Sequence, residues 1–211
     1  MKTLRVTGNV FILIGATFLF FVLYELVGTS SITRGHQSAL AVEFGEPTIE
    51  RPIPVRPDPK EPTSLRWPDL SPQDIVGRIR IPSLDVEYIV VEGTTLDDLA
   101  LGPGHYIGTS LPGQVGSVGI AGHRTGWGSP FIDLDKLRRG DEIILDTKRH
   151  GRFVYRVTGT TVTHPRDVEV LQGDPDSDAL YSLTLTTCTP KYTSRDRLII
   201  WADQVQPVFE S

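Results

Sequence analysis

The sequence predicts a mainly β domain that closes, or nearly closes, into a single barrel. Seven or eight short segments have the alternating or β-branched composition of strands, and turn residues separate them. Helical patterns between these segments are few and short. The 211 residues are enough for one such domain with a substantial core, together with tails.

The first strand of the domain is predicted at Ile75–Ile81, where apolar and charged residues alternate before Pro82 ends the pattern. The small apolar segment Ser117–Gly122 predicts a buried strand, with glycines where a backbone or a ligand approaches closely. Further strands are expected over 85–91, 141–146, 152–157 (which 160–163 extend), 180–187 and 198–205.

Two short helical segments are expected within the domain. Over 94–101, a threonine provides the cap and two aspartates favour the helix N-terminus. Over 129–137, Ser129 and Pro130 resemble a helix start.

The N-terminal segment predicts a membrane anchor. Lys2 and Arg5 precede the uncharged run from Val6 to Tyr24, which as a helix extends roughly 28 Å, close to the hydrocarbon thickness of a bilayer. A cleaved signal peptide is the alternative, but the only suitable cleavage pattern lies well beyond the apolar run. Residues 1–27 are therefore interpreted as a cytoplasmic tip and a single-pass anchor, with everything after Glu25 outside the cell.

Residues 28–73 are interpreted as a Pro-rich extracellular spacer. Eight prolines lie between Pro47 and Pro72, and such a stretch favours extended polyproline II. A second interpretation is that part of this segment wraps the domain, with Leu65-Arg66-Trp67 as an apolar anchor. The catalytic domain is then expected over 74–211.

Charge and cysteine content exclude several classes of function. The net charge is −5 and the basic residues are scattered, so no nucleic-acid partner is expected. Cys188 is the only cysteine, so it has no partner for an internal disulfide or at metal-ligand spacing. We expect no metal and no cofactor. Cys188 is either an inert core residue or a free thiol with a function.

Three residues at predicted strand ends form a candidate catalytic group. Cys188 ends one strand, and Arg197 opens the next strand nine residues later. A thiol needs a nearby imidazole to act as a nucleophile, and His123 is the best of five histidines because it leaves a buried strand directly. Arg197 could stabilise the oxyanion of an acyl-transfer step.

These motifs resemble those of the sortases, which are membrane-anchored cysteine transpeptidases of Gram-positive bacteria. Thr184–Cys188 (TLTTC), followed by Arg197 and a strand, is similar to their active-site signature, and Gly119–Arg124 (GIAGHR) is similar to their histidine motif. The segments Gly104–Tyr106 and Leu111–Gln114 further resemble class E of actinobacteria, while classes D and F remain possible.

The resemblance implies an eight-stranded β-barrel that cuts an LPXTG-type C-terminal sorting signal between Thr and Gly. Cys188 would form a thioacyl enzyme, His123 would handle the protons, and Arg197 would hold substrate and the oxyanion. Thr187 matches a substrate-contacting residue, and Tyr106 matches a tyrosine linked to LAXTG-type signals. The partners implied are secreted proteins bearing the signal and the amine of a cell-wall precursor such as lipid II.

Three alternatives remain open at this point. A pilin-polymerising sortase would use a pilin lysine as the acceptor. A plain cysteine hydrolase would orient its histidine with Asn or Asp, which is not evident in the sequence. A membrane-tethered barrel that binds peptides would need no catalysis at all.

Overall fold

A computed structural model describes residues 2–24, 28–45 and 65–205. Eight strands form a closed barrel in the order β1-β2-β3-β4-β7-β8-β6-β5, which confirms the predicted fold class. The strands are β1 Ile75–Ile81, β2 Val86–Glu92, β3 Gly104–His105, β4 Gly116–Ala121, β5 Glu142–Thr147, β6 Gly151–Thr163, β7 Tyr181–Thr189 and β8 Asp196–Gln204.

The barrel interior is filled by aliphatic side chains from most of the strands. Alternation in β1 buries Ile79 and Ile81 completely, while Arg78 and Arg80 lie on the other face of the strand and are partly buried. Ile120, Leu185 and Ile200 enter the same core from β4, β7 and β8. Fully burying one such side chain contributes about 1.5–3 kcal/mol, so this interior is the main source of stability.

The arrangement of β4, β7 and β8 decides where the functional residues lie. β4 pairs with β7 in parallel, and the last pair of that ladder is Ala121 with Thr186. β7 pairs with β8 in the antiparallel direction, and Cys188 is directly opposite Arg197. The C-terminal ends of β4 and β7 and the start of β8 therefore meet at one edge of the barrel.

The helices are α1 Lys2–Leu23, α2 Thr29–Phe44 and α3 Leu96–Leu101. α3 lies where the sequence predicts it, and Thr95 and Asp98 form the capping box at its start. The helix expected over 129–137 is wrong: only a 3-10 turn at Leu134–Lys136 forms. Ser129 has a positive φ of 48°, which a helix cannot contain, and the turning segment instead places Phe131 and Leu134 in the core.

α1 covers most of the predicted anchor. Its large apolar side chains are exposed, among them Phe11, Ile12 and Phe20. Of the helices in the described residues, none combines the length and the hydropathy that crossing a bilayer requires. The membrane span therefore stays a prediction.

α2 replaces the first part of the predicted extended spacer. Residues 29–44 contain no proline, so every peptide group can join helical hydrogen bonds. The Gln37 side chain then fixes the helix to the barrel: Nε2 donates to the carbonyls of Ile89 and Leu101 at 3.0 and 2.9 Å, and Oε1 accepts from the Ile89 N–H at 2.7 Å. Residues 46–64, which hold most of the prolines, lie outside the described residues.

The end of the predicted spacer is docked on the barrel. The Leu65 N–H donates to the Gly113 carbonyl at 3.1 Å, and the Trp67 indole N–H donates to the Pro112 carbonyl at 3.1 Å. Both side chains pack against the barrel core. The interpretation in which this segment wraps the domain therefore applies to residues 65–67.

The two-residue strand β3 forms a narrow seam in the barrel, with only two register pairs on each side. A buried hydrogen bond spans this seam, because His105 Nδ1 lies 2.8 Å from Glu92 Oε2 and the two residues are register partners. The other ring nitrogen of His105 lies 3.0 Å from the Ser110 carbonyl oxygen. Thr109 Oγ1 lies 3.0 Å from the same nitrogen, so both ring nitrogens have polar partners.

Replacing Glu92 with alanine is expected to lower the free energy of unfolding by about 1–3 kcal/mol, because it leaves the buried His105 imidazole without its hydrogen-bond partner. Denaturant unfolding followed by intrinsic fluorescence measures the loss. Glu87→Ala on the same strand is the matched control, because Glu87 is exposed and its ion pair with Arg78 should contribute about 1 kcal/mol or less. Equal losses in the two variants would contradict a structural role for the buried pair.

Candidate active site

A cleft of about 620 Å³ opens at the edge of the barrel where β4, β7 and β8 meet. It is lined by all five residues that the sequence singles out: Tyr106, His123, Thr187, Cys188 and Arg197. Tyr106 and His123 are distant in sequence from Thr187, Cys188 and Arg197, and the barrel topology brings the two groups together. The cleft is therefore the candidate functional site.

Cys188 lies at the point where β7 leaves the core. The strand is buried from Tyr181 to Thr187, and Cys188 is the first residue that is only half-buried. Since its side chain lines the cleft, it is not enclosed in the core as an inert residue would be. Its position fits a thiol that acts on a bound molecule.

His123 lies two residues beyond the end of β4. Its Nε2 is buried, and no group in the described part of the chain makes a hydrogen bond to it. Burial lowers the pKa of His123 below its ordinary value of 6.5, because a charged imidazolium loses hydration in the cleft wall. The neutral imidazole is therefore favoured, with a buried nitrogen available to a thiol or a substrate.

This lowered pKa makes stability depend on pH in a defined direction. Below pH 6.5 the unfolded chain binds a proton at His123 that the folded chain resists, so stability falls as the pH falls through the folded-state pKa. We expect His123→Asn to remove this pH dependence, so the difference in unfolding free energy between the parent protein and the variant changes with pH below 6.5 and is constant above neutral pH. Urea midpoints across the pH range measure this, and parallel pH curves for the two proteins would contradict it.

Arg197 opens β8 opposite Cys188. Its Nη1 donates to the carbonyls of Ser194 and Asp196, both at 3.2 Å, so the loop before the strand fixes the side chain. Contacts with the described residues involve Nη1 only, and the N–H groups on Nε and Nη2 are left for a ligand. This arrangement provides fixed positive charge beside the thiol.

Thr187 and Tyr106 also line the cleft, but their hydroxyls have partners in the protein. The Thr187 hydroxyl donates to the Gly122 carbonyl at 2.8 Å, and the side chain is buried. The Tyr106 hydroxyl lies 2.9 Å from Thr186 Oγ1. Thr187 therefore links the two strand ends, and contact of either side chain with a substrate stays a prediction.

Two features of the cleft have no signal in the sequence. Arg124 follows His123 and would be taken for a surface charge, yet it is only 4% exposed and makes an ion pair with Asp135 at 2.7 Å. Leu96 and Tyr192 form an exposed apolar rim, at 80% and 74% exposure. Burial and exposure of these side chains depend on the tertiary fold, so composition alone could not reveal them.

The described residues hold no group of three or more His, Cys, Asp or Glu side chains arranged to bind a metal ion. Asp135 pairs with Arg124, which lines the cleft, at 2.7 Å. Asp133 accepts from Lys136 and Lys191 at 2.9 and 2.8 Å.

Comparison with known proteins agrees with this geometry. The family model described as a sortase domain matches residues 79–205. Sortase SrtE1 of Streptomyces coelicolor is 31% identical over 216 residues, which cover 96% of this chain. The chain spans little more than half the length of the curated relatives it matches, at 57% for SrtE1 and 56% for SrtE2 of the same organism.

Solved structures give the same result. The crystal structure of sortase E1 from Streptomyces coelicolor, with a tripeptide in the active site, superposes with a TM-score of 0.58 and 36% identity over 64% of this chain and 89% of that one. A Clostridium perfringens sortase D5 transpeptidase gives a TM-score of 0.61 and 28% identity over 83% of this chain and 99% of that one. With a closed eight-stranded barrel and its cysteine, histidine and arginine in one cleft, the chain belongs to the sortase family and is most like class E.

Proposed function

We propose that the chain is a cysteine transpeptidase that acts on proteins with an LPXTG-type or LAXTG-type C-terminal sorting signal. It cuts the signal between Thr and Gly and joins the new end to the amine of a cell-wall precursor such as lipid II. The observation that carries the proposal is the meeting of Cys188, His123 and Arg197 in one cleft.

In the first half of the reaction, the Cys188 sulfur attacks the carbonyl carbon of the signal threonine. The neutral His123 imidazole accepts the thiol proton as the sulfur–carbon bond forms. The negative charge that develops on the carbonyl oxygen is stabilised by the guanidinium of Arg197. Collapse of this intermediate breaks the Thr–Gly bond, and His123 returns its proton to the leaving amine.

In the second half, an amine displaces Cys188 from the carbonyl carbon of the signal threonine. His123 is neutral again and removes a proton from the amine as its nitrogen attacks the thioester carbon. The sulfur–carbon bond breaks, a new amide is formed, and the Cys188 thiolate takes the proton back from His123. Water in place of the amine would give hydrolysis, so the selectivity of the cleft for amines decides the product.

Peptide recognition is supported by the shape and the chemistry of the cleft. The exposed apolar rim of Leu96 and Tyr192 suits an extended peptide with an apolar residue near its start. Tyr106 and Thr187 line the same cleft as this rim and Cys188. We assign these two as substrate-binding residues, with Tyr106 favouring the LAXTG-type signal.

The proposed location is the cell membrane, with the N-terminus in the cytoplasm and the catalytic domain outside. The support is the uncharged run from Val6 to Tyr24 behind Lys2 and Arg5, together with the exposed apolar side chains of α1. There the enzyme would meet secreted substrates and wall precursors on one surface.

The test combines a sorting-signal peptide, an amine and the full chain in detergent. LAXTG and LPXTG peptides are compared with and without a small amine acceptor, and the products are identified by mass spectrometry. Cleavage between Thr and Gly with the amine attached to Thr is the expected result. Hydrolysis alone at high amine concentration would favour a cysteine hydrolase, and binding without turnover would favour a peptide-binding barrel.

A further inference from the structure

The Arg124 side chain contacts two other segments beside the cleft, the turn that contains Ile132 and Asp135 and the end of β7. Its Nε donates to the Ile132 carbonyl at 3.1 Å, its Nη1 to the Cys188 carbonyl at 3.3 Å, and its Nη2 pairs with the Asp135 carboxylate at 2.7 Å. The side chain is 4% exposed. A buried guanidinium with a partner for each nitrogen indicates a fixed structural position rather than a solvated charge.

These contacts continue the connection between β4 and β7 beyond the end of their ladder. After the last register pair, the Gly122 N–H donates to the Thr186 carbonyl at 3.1 Å, and the Thr187 hydroxyl donates back to the Gly122 carbonyl at 2.8 Å. Arg124 then contacts the Cys188 carbonyl. Hydrogen bonds thus join the segment that carries His123 to the end of β7 at successive residues as far as Cys188.

The carboxylate partner of Arg124 also connects to the loop between β7 and β8. Lys191 of that loop lies 2.8 Å from Asp133 and 3.9 Å from Asp135. Asp133 and Asp135 belong to the same turn, so one short segment pairs with both Arg124 and Lys191. The pairs with Lys191 are partly exposed and therefore weaker than the buried contacts of Arg124.

We propose that Arg124 is a positioning residue that holds the backbone of Cys188 at a fixed distance from His123. The inference rests on the proposed function, because the base and nucleophile must meet for acyl transfer. Arg124 follows His123 in the chain and binds the carbonyl of Cys188, so movement of either strand end must break its contacts. Lysine cannot replace it, because one ammonium cannot reach three acceptors in different directions.

The first test compares Arg124→Lys with Arg139→Lys, a matched control at an exposed position of the same region. In Arg124→Lys, kcat for peptide cleavage is expected to fall about 10²-fold while KM changes little, because misplaced reacting groups lose rate rather than ground-state binding. Arg139→Lys should keep both constants. Unchanged kcat in folded Arg124→Lys would overturn the proposal.

A second pair of variants keeps the proposal testable if Arg124→Lys folds poorly. Asp135→Asn removes the carboxylate from Arg124 and should lower kcat, whereas Asp133→Asn removes two lysine contacts and leaves Arg124 its three partners. If the pairs with Lys191 were the important ones, Asp133→Asn would lose at least as much kcat as Asp135→Asn. That result would also overturn the assignment to Arg124.

A readout without substrate separates this proposal from the proposed function. Because Cys188 is the only cysteine, selective labelling of cysteine gives a single NMR resonance for its Cβ. Arg124→Lys is expected to shift this resonance, and Arg139→Lys is expected to leave it in place. An unshifted resonance in Arg124→Lys would refute the positioning role, whereas a shifted resonance in an enzyme that cleaves no signal peptide would refute only the proposed function.

Discussion

Replacing Cys188 with alanine is expected to lower the rate of sorting-signal cleavage by about 10⁴-fold or more, because the nucleophile of the covalent step is lost. The loss should appear in kcat. Mass spectrometry should detect the thioacyl enzyme in the parent protein and not in the variant. Cys188 is half-buried at a strand end, so the free energy of unfolding should change little. A variant that kept full cleavage would remove Cys188 from this role.

Binding of the signal peptide to Cys188→Ala separates catalysis from recognition. The variant keeps the other four lining residues that the sequence identifies, so a labelled peptide should bind it about as tightly as it binds the parent protein. Fluorescence anisotropy measures this affinity. Peptide binding without turnover in the parent protein itself would instead support the peptide-binding barrel.

Replacing Arg197 with lysine is expected to lower kcat/KM by about 10²–10³-fold, because the fixed N–H groups beside the oxyanion are lost. Lysine keeps a positive charge but has neither the planar fork nor the two loop contacts of Nη1 that orient it. Steady-state kinetics with a fluorogenic sorting-signal peptide give the two constants.

Arg195 provides the matched control for this substitution. It lies in the loop just before β8, pairs with Asp196 at 2.8 Å and has a side chain that is 73% exposed. Arg195→Lys should therefore change kcat/KM by about threefold or less, as expected for an exposed ion pair. Equal losses in the two variants would show that the charge of the loop matters and that the position of Arg197 does not.

The strands and the site could be predicted because both depend on local patterns. Alternation over Ile75–Ile81 matches the observed strand β1, and the small-residue run before His123 matches β4. Cys188 and Arg197 were each expected at a strand end, and the structure places them opposite each other. A short connection between two neighbouring antiparallel strands keeps their facing ends close, so the sequence indicated this proximity, whereas the exact register is given by the structure.

The parts that sequence analysis missed depend on tertiary contacts. α2 is mostly polar and has a weak apolar pattern, and its Gln37 and Phe44 become informative only when the barrel is beside them. The two-residue strand β3 is too short to give any periodic signal. Arg124 is charged, so only the three partners supplied by the fold explain its burial.

The short strand β3 also determines where the barrel should open first. β7 and β8 share eight register pairs, whereas β3 has two with each neighbour, so local unfolding near β3 requires fewer hydrogen bonds to break. Native-state hydrogen exchange should therefore release the amides of β3 before those of β7 and β8. Tyr106 follows β3 directly and would move with such an opening. We therefore expect the cleft wall that contains Tyr106 to be adaptable and the wall that contains Cys188 to be rigid.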